Sequence, residues 1–328
     1  MAMYIIISTV LPEAKALGTK LNLGSAFLHY GGYMNLKKPM SIEEQIEKIR
    51  KHKIVISDEE AVKRILEEIS YYRLTGYALQ YRAGEDSSEY VEEISFDSIC
   101  RIYQFDSELR SLLRKYIEKA EVYYRCQIAN GFAFAKCTRE PYDQHYDKEN
   151  YYNKEVFQSV IDNFQKEQDY YRDSLVVKHH KKKYGSKMPL WVMVELMSFS
   201  GISKLYSAMY LSEKDAIASK IGVKSSTLGN HLHCLAVLRN KCAHAARLYN
   251  TEFNPPARFN PQFLKKNPSL KNNSLFAYIY ILQKRIPDEV DRKTLGKEVI
   301  AMVDKYKDDI DIELMGFPGN YKKLLESV

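Results

Sequence analysis

From Phe96 to Lys136 the residues Leu109, Leu112, Leu113, Tyr116, Ile117, Ala120, Tyr123, Tyr124 and Gln127 recur at threes and fours. That spacing is the period of one face of an α-helix. It predicts a single long core helix, and such a helix needs other elements to cover its apolar stripe.

The flanking segments read in the same way. Ser41-Ile42-Glu43-Glu44 and Ser57-Asp58-Glu59-Glu60 match a capping box, and they open helices to about Lys51 and through Ile69. Further helices are predicted near 154–170, from Pro189 to Phe199, from Ile202 to Leu211 with a break at Ser200-Gly201, near 275–285 and over 288–307. Trp191, the only tryptophan, is expected in the core. Pro141 and the pair Pro255-Pro256 mark loops. No alternating run or hairpin turn pair points to a sheet, and no solenoid-length repeat is visible. The fold class is therefore all-α. Residues 1–36 carry no clear period and are expected to be an N-terminal extension, either a loose arm or sequence upstream of a natural start at Met34. Residues 37–328 are expected to form one helical domain.

A formal charge of +7 and a pI near 8.8 are a modest basic excess that suits a nucleic-acid partner without requiring one. The five cysteines, Cys100, Cys126, Cys137, Cys234 and Cys242, are odd in number and contain no C-x-x-C pair, which argues for a reducing compartment and a cytoplasmic location. No apolar run is long enough for a membrane span, and MAMYIIISTVL lacks the basic residues that open a signal peptide.

One constellation looks built for chemistry, the run from Gly229 to Asn250, GNHLHCLAVLRNKCAHAARLYN. Read as a helix opening after Ser225-Ser226-Thr227, it places Leu228, Leu232, Leu235, Cys242 and Ala246 on one stripe. Arg239 falls on that stripe too. A guanidinium among core-facing positions needs an anion, and a carboxylate or phosphate brought by a partner subunit is expected to supply it. Asn240 and His244 are four apart and share a face. Arg239 and His244 lie about 140° apart around an ideal helix, so the arginine must bend round or a second copy of the helix must complete the site.

Arginine, a polar residue, three more and then histidine is the signature of the HEPN nuclease superfamily, and LRNKCAHAARLYN is similar to abortive-infection proteins of the Abi-like (AbiD/AbiF) type. Three further stretches resemble the same family in order. They are Tyr71-Tyr72-Arg73-Leu74-Thr75-Gly76-Tyr77, Pro189-Leu190-Trp191-Val192 with Glu195, Leu196, Ser198 and Phe199, and Ser203-Lys204-Leu205-Tyr206-Ser207. The resemblance covers roughly Lys38 to Asn250. It departs at Ala245, where the family often carries a second histidine. It implies a HEPN-like helical bundle with additional N- and C-terminal helices, a homodimer whose two motifs face each other, and a toxin-like endoribonuclease in phage defence. A cognate small non-coding RNA is an implied regulator.

RNA carries its own nucleophile in the 2′-hydroxyl, so such an enzyme needs a base and charge stabilisation, and no cofactor or metal. In this reading His244 moves the proton, since an imidazole ordinarily titrates near 6.5. Arg239 holds the non-bridging oxygens and Asn240 orients the imidazole or the phosphate. Glu195 is a further candidate for orienting Arg239 or His244. Tyr72 and Arg73 can stack on unpaired bases, or can pack as helix-end residues with Arg73 paired to a carboxylate. Lys181, Lys182 and Lys183 lie in the densest positive cluster, and with Lys241 and Arg247 they are candidates for phosphate neutralisation; a solvated charge run explains the cluster equally. A zinc site among His231, His233, Cys234, Cys242 and His244 fails on geometry, because Cys234 and Cys242 are about 12 Å apart along a helix. Two alternatives stand beside the enzyme: a non-catalytic RNA-binding module, and a helical interaction scaffold.

Overall fold

The computed structural model describes residues 36–82, 90 and 94–328. The expected extension over 1–36 lies outside the described residues except for Leu36. The architecture is an all-α bundle, and two-residue strands β1 (Ile54–Val55) and β2 (Ile94–Ser95), paired in parallel, are the exception among the described residues.

Helices α1 (Ile42–Lys51) and α2 (Glu59–Glu68) form at the N-terminal end. Ser41 and Glu44 make the expected capping box. At α2 the cap is Asp58, which accepts from the Ala61 amide, while Ser57 instead donates its hydroxyl to Asp97. Helix α3 (Tyr71–Thr75) continues into a 3-10 turn over Gly76–Tyr81. Next comes α4 (Phe96–Lys136), 41 residues in one element and about 60 Å long. Its stripe is almost wholly inaccessible, with Leu109, Leu113, Tyr116, Ala120, Tyr124, Ile128 and Phe132 all buried.

Helices α5 (Lys154–Tyr170), α6 (Leu175–Tyr184), α7 (Leu190–Leu196), α8 (Phe199–Ala208) and α9 (Leu211–Ser219) follow. The break expected at Ser200-Gly201 falls earlier, at Met197-Ser198, because the Ser198 hydroxyl caps α8 by accepting from the Gly201 amide. Pro189 is the N-cap of α7 and not its first helical residue. Trp191 is 58% exposed, so its expected place in the core is wrong; α7 turns Leu190, Met193 and Val194 inward instead.

The motif helix α10 (Ser225–Ala243) lies against α4, α8 and α9. Helices α11 (Pro261–Lys266), α12 (Leu275–Arg285), α13 (Glu289–Lys305) and α14 (Tyr321–Glu326) complete the chain. Both α12 and α13 pack on α4, and α12 also reaches α10. Leu228, Leu232, Leu235 and Leu238 are fully buried in the resulting core, so α10 is fixed along its whole length.

Candidate functional site

The motif helix ends sooner than its sequence predicts. Ala243 is the last helical residue and His244 is the C-cap, with its amide bonded to the Asn240 carbonyl at 3.0 Å. Ala245 then adopts φ +50°. The Ala246 amide reaches the Lys241 carbonyl at 2.8 Å and the Ala245 amide faces that of Cys242 at 3.4 Å, which is the Schellman pattern of a helix stop. The left-handed residue in that pattern is usually glycine; here it is alanine, so the stop carries backbone strain.

A clamp of side chains offsets that strain. Arg73 Nη1 donates to the Ala245 carbonyl at 2.5 Å. Arg110 donates to the Ala246 carbonyl at 3.3 Å and is ion-paired with the buried Asp106. Asp106 in turn accepts from the amides of Leu248 and Tyr249, at 3.2 and 2.9 Å, and from the Tyr77 hydroxyl at 2.7 Å. Arg247 donates to the Gly76 carbonyl and lies 6.0 Å from the Tyr77 ring centroid. The segment Tyr71–Tyr77 is therefore the seat of the chain that leaves the motif. Arg73 pairs with a backbone carbonyl where a carboxylate was expected, and Tyr72 is 88% exposed beside it.

Arg239 takes its anion from the same chain, which corrects the expectation of a partner subunit. Its Nε lies 3.4 Å from Oε2 of Glu121 on α4. The Glu121 side chain is 8% exposed, and its Oε1 accepts from Arg125 Nη2 at 2.6 Å. Arg125 also donates to the Met197 carbonyl at 2.8 Å, so the carboxylate is tied to the end of α7. The Arg239 side chain remains 36% exposed at the edge of an open groove of about 610 Å³ between α4 and α10. Arg114, Glu118, Glu121, Arg125 and Ala243 share that groove.

Asn240 and His244 do not join Arg239 through hydrogen bonds among the described residues. Asn240 Nδ2 donates to Ser200 Oγ at 3.1 Å, anchoring α10 to α8. His244 is exposed, immediately after the groove residue Ala243. Glu195 is exposed on α7. Lys241 lies 5.2 Å from the Phe253 ring centroid, and Lys181, Lys182 and Lys183 are exposed on α6. The remaining polar groups of α10 serve the fold. His231 donates from Nε2 to the Arg258 carbonyl at 2.7 Å, and burial pushes its pKa down to about 4. Cys234 contacts Asn230 and the Pro255 carbonyl, and burial pushes the Cys242 thiol up to about 12.

Sequence reasoning missed Asp106, Arg110, Glu121 and Arg125. The signal was present: two carboxylate-to-arginine pairs at i and i+4 lie at core-facing positions of the longest helix.

Fold and site define an all-α protein with an Arg-Asn…His motif at a strained helix end, beside a groove rich in guanidinium groups. A family model described as Abi-like protein matches residues 64–250, more than half of the chain, and the chain belongs to that family. The match takes in all three stretches singled out above and ends with the motif segment. No curated protein and no solved structure matches the chain. Among the described residues no helix is long and apolar enough to cross a membrane.

Proposed function

We propose that this Abi-like protein is a HEPN-type, metal-independent endoribonuclease that acts in the cytoplasm as a toxin-like effector of abortive phage defence. The observation that carries the reading is the setting of Arg239. Its Nε is held by a buried carboxylate while the side chain stays accessible in a groove, the arrangement a phosphate-binding arginine needs. The exposed His244 stands four residues after Asn240, at the helix end, where a bound phosphodiester could reach its imidazole.

The reaction is a transesterification. The ribose O2′ forms a bond to phosphorus, the bond from phosphorus to O5′ breaks, and the proton on O2′ is in effect replaced by one on O5′. The products are a 2′,3′-cyclic phosphate and a 5′-hydroxyl end. One imidazole removes a proton and another supplies one, so a homodimer presenting two copies of His244 to one phosphodiester accounts for both transfers. Arg239 stabilises the charge that builds on the non-bridging oxygens. A small non-coding RNA as regulator would use the same chemistry of phosphate recognition.

A non-catalytic RNA-binding module is the second reading, and it is favoured by Asn240 being engaged with Ser200 and not with His244. Expression of wild type, Arg239→Ala and His244→Ala, with RNA ends mapped in EDTA, separates the two. The enzyme predicts growth arrest and cyclic-phosphate ends for wild type alone, with both variants folded. RNA that is bound yet intact under every condition supports the binding module.

A further inference from the structure

We propose that the groove between α4 and α10 is the track for the RNA backbone, that Arg114 is its second phosphate-binding guanidinium, and that Glu121 is the residue that positions Arg239. The identity of the ligand as RNA rests on the reading above; the role of the groove does not depend on His244.

Arg114, Glu118, Glu121 and Arg125 are spaced four, three and four apart on α4, and all four face the groove. Their charges are not spent equally. Glu121 is shared by Arg125 and Arg239, so that cluster keeps one positive charge. Lys115, also on the groove wall, is drawn to Glu298 on α13 at 3.2 Å. Arg114 is exposed and makes no ion pair among the described residues, although Glu118 stands at i+4. Arg114 and Arg239 present two guanidinium groups to the groove, one from each wall, and Ala243, the residue before His244, lines the same groove. Two guanidinium forks lining one groove suit the non-bridging oxygens of a phosphodiester backbone.

Glu121 completes the arrangement. By holding Nε it fixes the plane of the Arg239 guanidinium and leaves the two Nη groups for the ligand. It is a positioning residue that acts through Arg239 and touches no substrate.

The test uses the full chain and a fluorescein-labelled 2′-O-methyl RNA oligonucleotide, which has no free 2′-hydroxyl, so that binding is read by anisotropy without cleavage. Arg114→Ala is expected to weaken binding and to reduce the salt slope by about 0.7, the value of one lost single-strand phosphate contact. An Arg114→Ala protein with wild-type affinity and slope would overturn the track. A change in sedimentation from dimer to monomer with probe affinity retained would also overturn it, because the groove would then seat a second copy of the chain. Glu121→Gln removes a negative charge, so electrostatics alone would hold or tighten probe binding. Positioning predicts instead that kcat for cleavable RNA falls roughly tenfold or more while KM holds, with partial recovery in Glu121→Asp. Unchanged kcat in a folded Glu121→Gln protein would remove Glu121 from this role. Should wild type cleave no RNA, the ribonuclease reading fails while the anisotropy measurement still decides the track.

Discussion

Arg73 Nη1 lies 2.5 Å from the carbonyl oxygen of Ala245, across 172 residues of sequence. The contact joins the Tyr71–Tyr77 segment to the residue after the motif histidine. Removing it in Arg73→Ala is expected to lower unfolding free energy by about 1 kcal/mol, at the modest end for a charged hydrogen bond because Arg73 is exposed. Tyr72→Ala should stay within about 0.5 kcal/mol. Urea midpoints measured without RNA check both, and a neutral Arg73→Ala would leave nucleic-acid contact as that side chain's role.

The left-handed Ala245 invites the opposite substitution. Ala245→Gly relieves a strained φ of +50° but adds freedom to the unfolded chain, so a net gain of roughly 0.5 to 1 kcal/mol is expected. Ala245→Val should lose stability, since a β-branched residue fits that region worse. Denaturant titration of the two variants reads the sign directly.

His231 gives the protein a pH dependence of known sign. Burial holds its pKa at about 4, below the ordinary value near 6.5, so the folded state keeps the ring neutral. As pH falls from about 6.5 through about 4, the unfolded chain takes up a proton that the folded protein refuses, and stability declines. The full loss from this group is on the order of 3 kcal/mol. His231→Gln, which can still donate to the Arg258 carbonyl, should flatten the acid limb relative to wild type. Chemical denaturation at a series of pH values between 7 and 4 would show the difference.

Lys181, Lys182 and Lys183 project from α6, whose one buried residue is Val177. Replacing all three with alanine should leave the melting temperature unchanged, because alanine favours helix and the lysines bury nothing. If the cluster meets RNA, the salt slope for a single strand falls by roughly 2. An unchanged slope would make the cluster a solvated surface.

Much of the bundle follows from local pattern. The apolar period of 96–136 specifies α4 end to end, and Ser41-x-x-Glu44 specifies the start of α1 through hydrogen bonds confined to neighbours. The order Arg239, Asn240, His244 is likewise written in the chain and marks where chemistry is to be sought. Short-range competition accounts for the small misplacements. Asp58 displaced Ser57 as a cap once Ser57 found Asp97 on the next long helix, and Ser198 claimed the start of α8 ahead of the expected break.

What only the tertiary structure decided is what each charged group faces. Arg239 reads along the chain as a cation in want of a partner, and the answer, Glu121, lies 118 residues away on a helix whose own pattern says only that the position is on the inner face. Trp191 shows the same limit, since a tryptophan beside apolar residues is turned outward when Leu190, Met193 and Val194 take the core face. The helix stop at His244 is likewise set from outside, by Arg73 and Arg110 on other elements. Local sequence determines helices because their hydrogen bonds close within four residues; the pairing of buried charges depends on which helices meet, and that is settled by how the whole core packs.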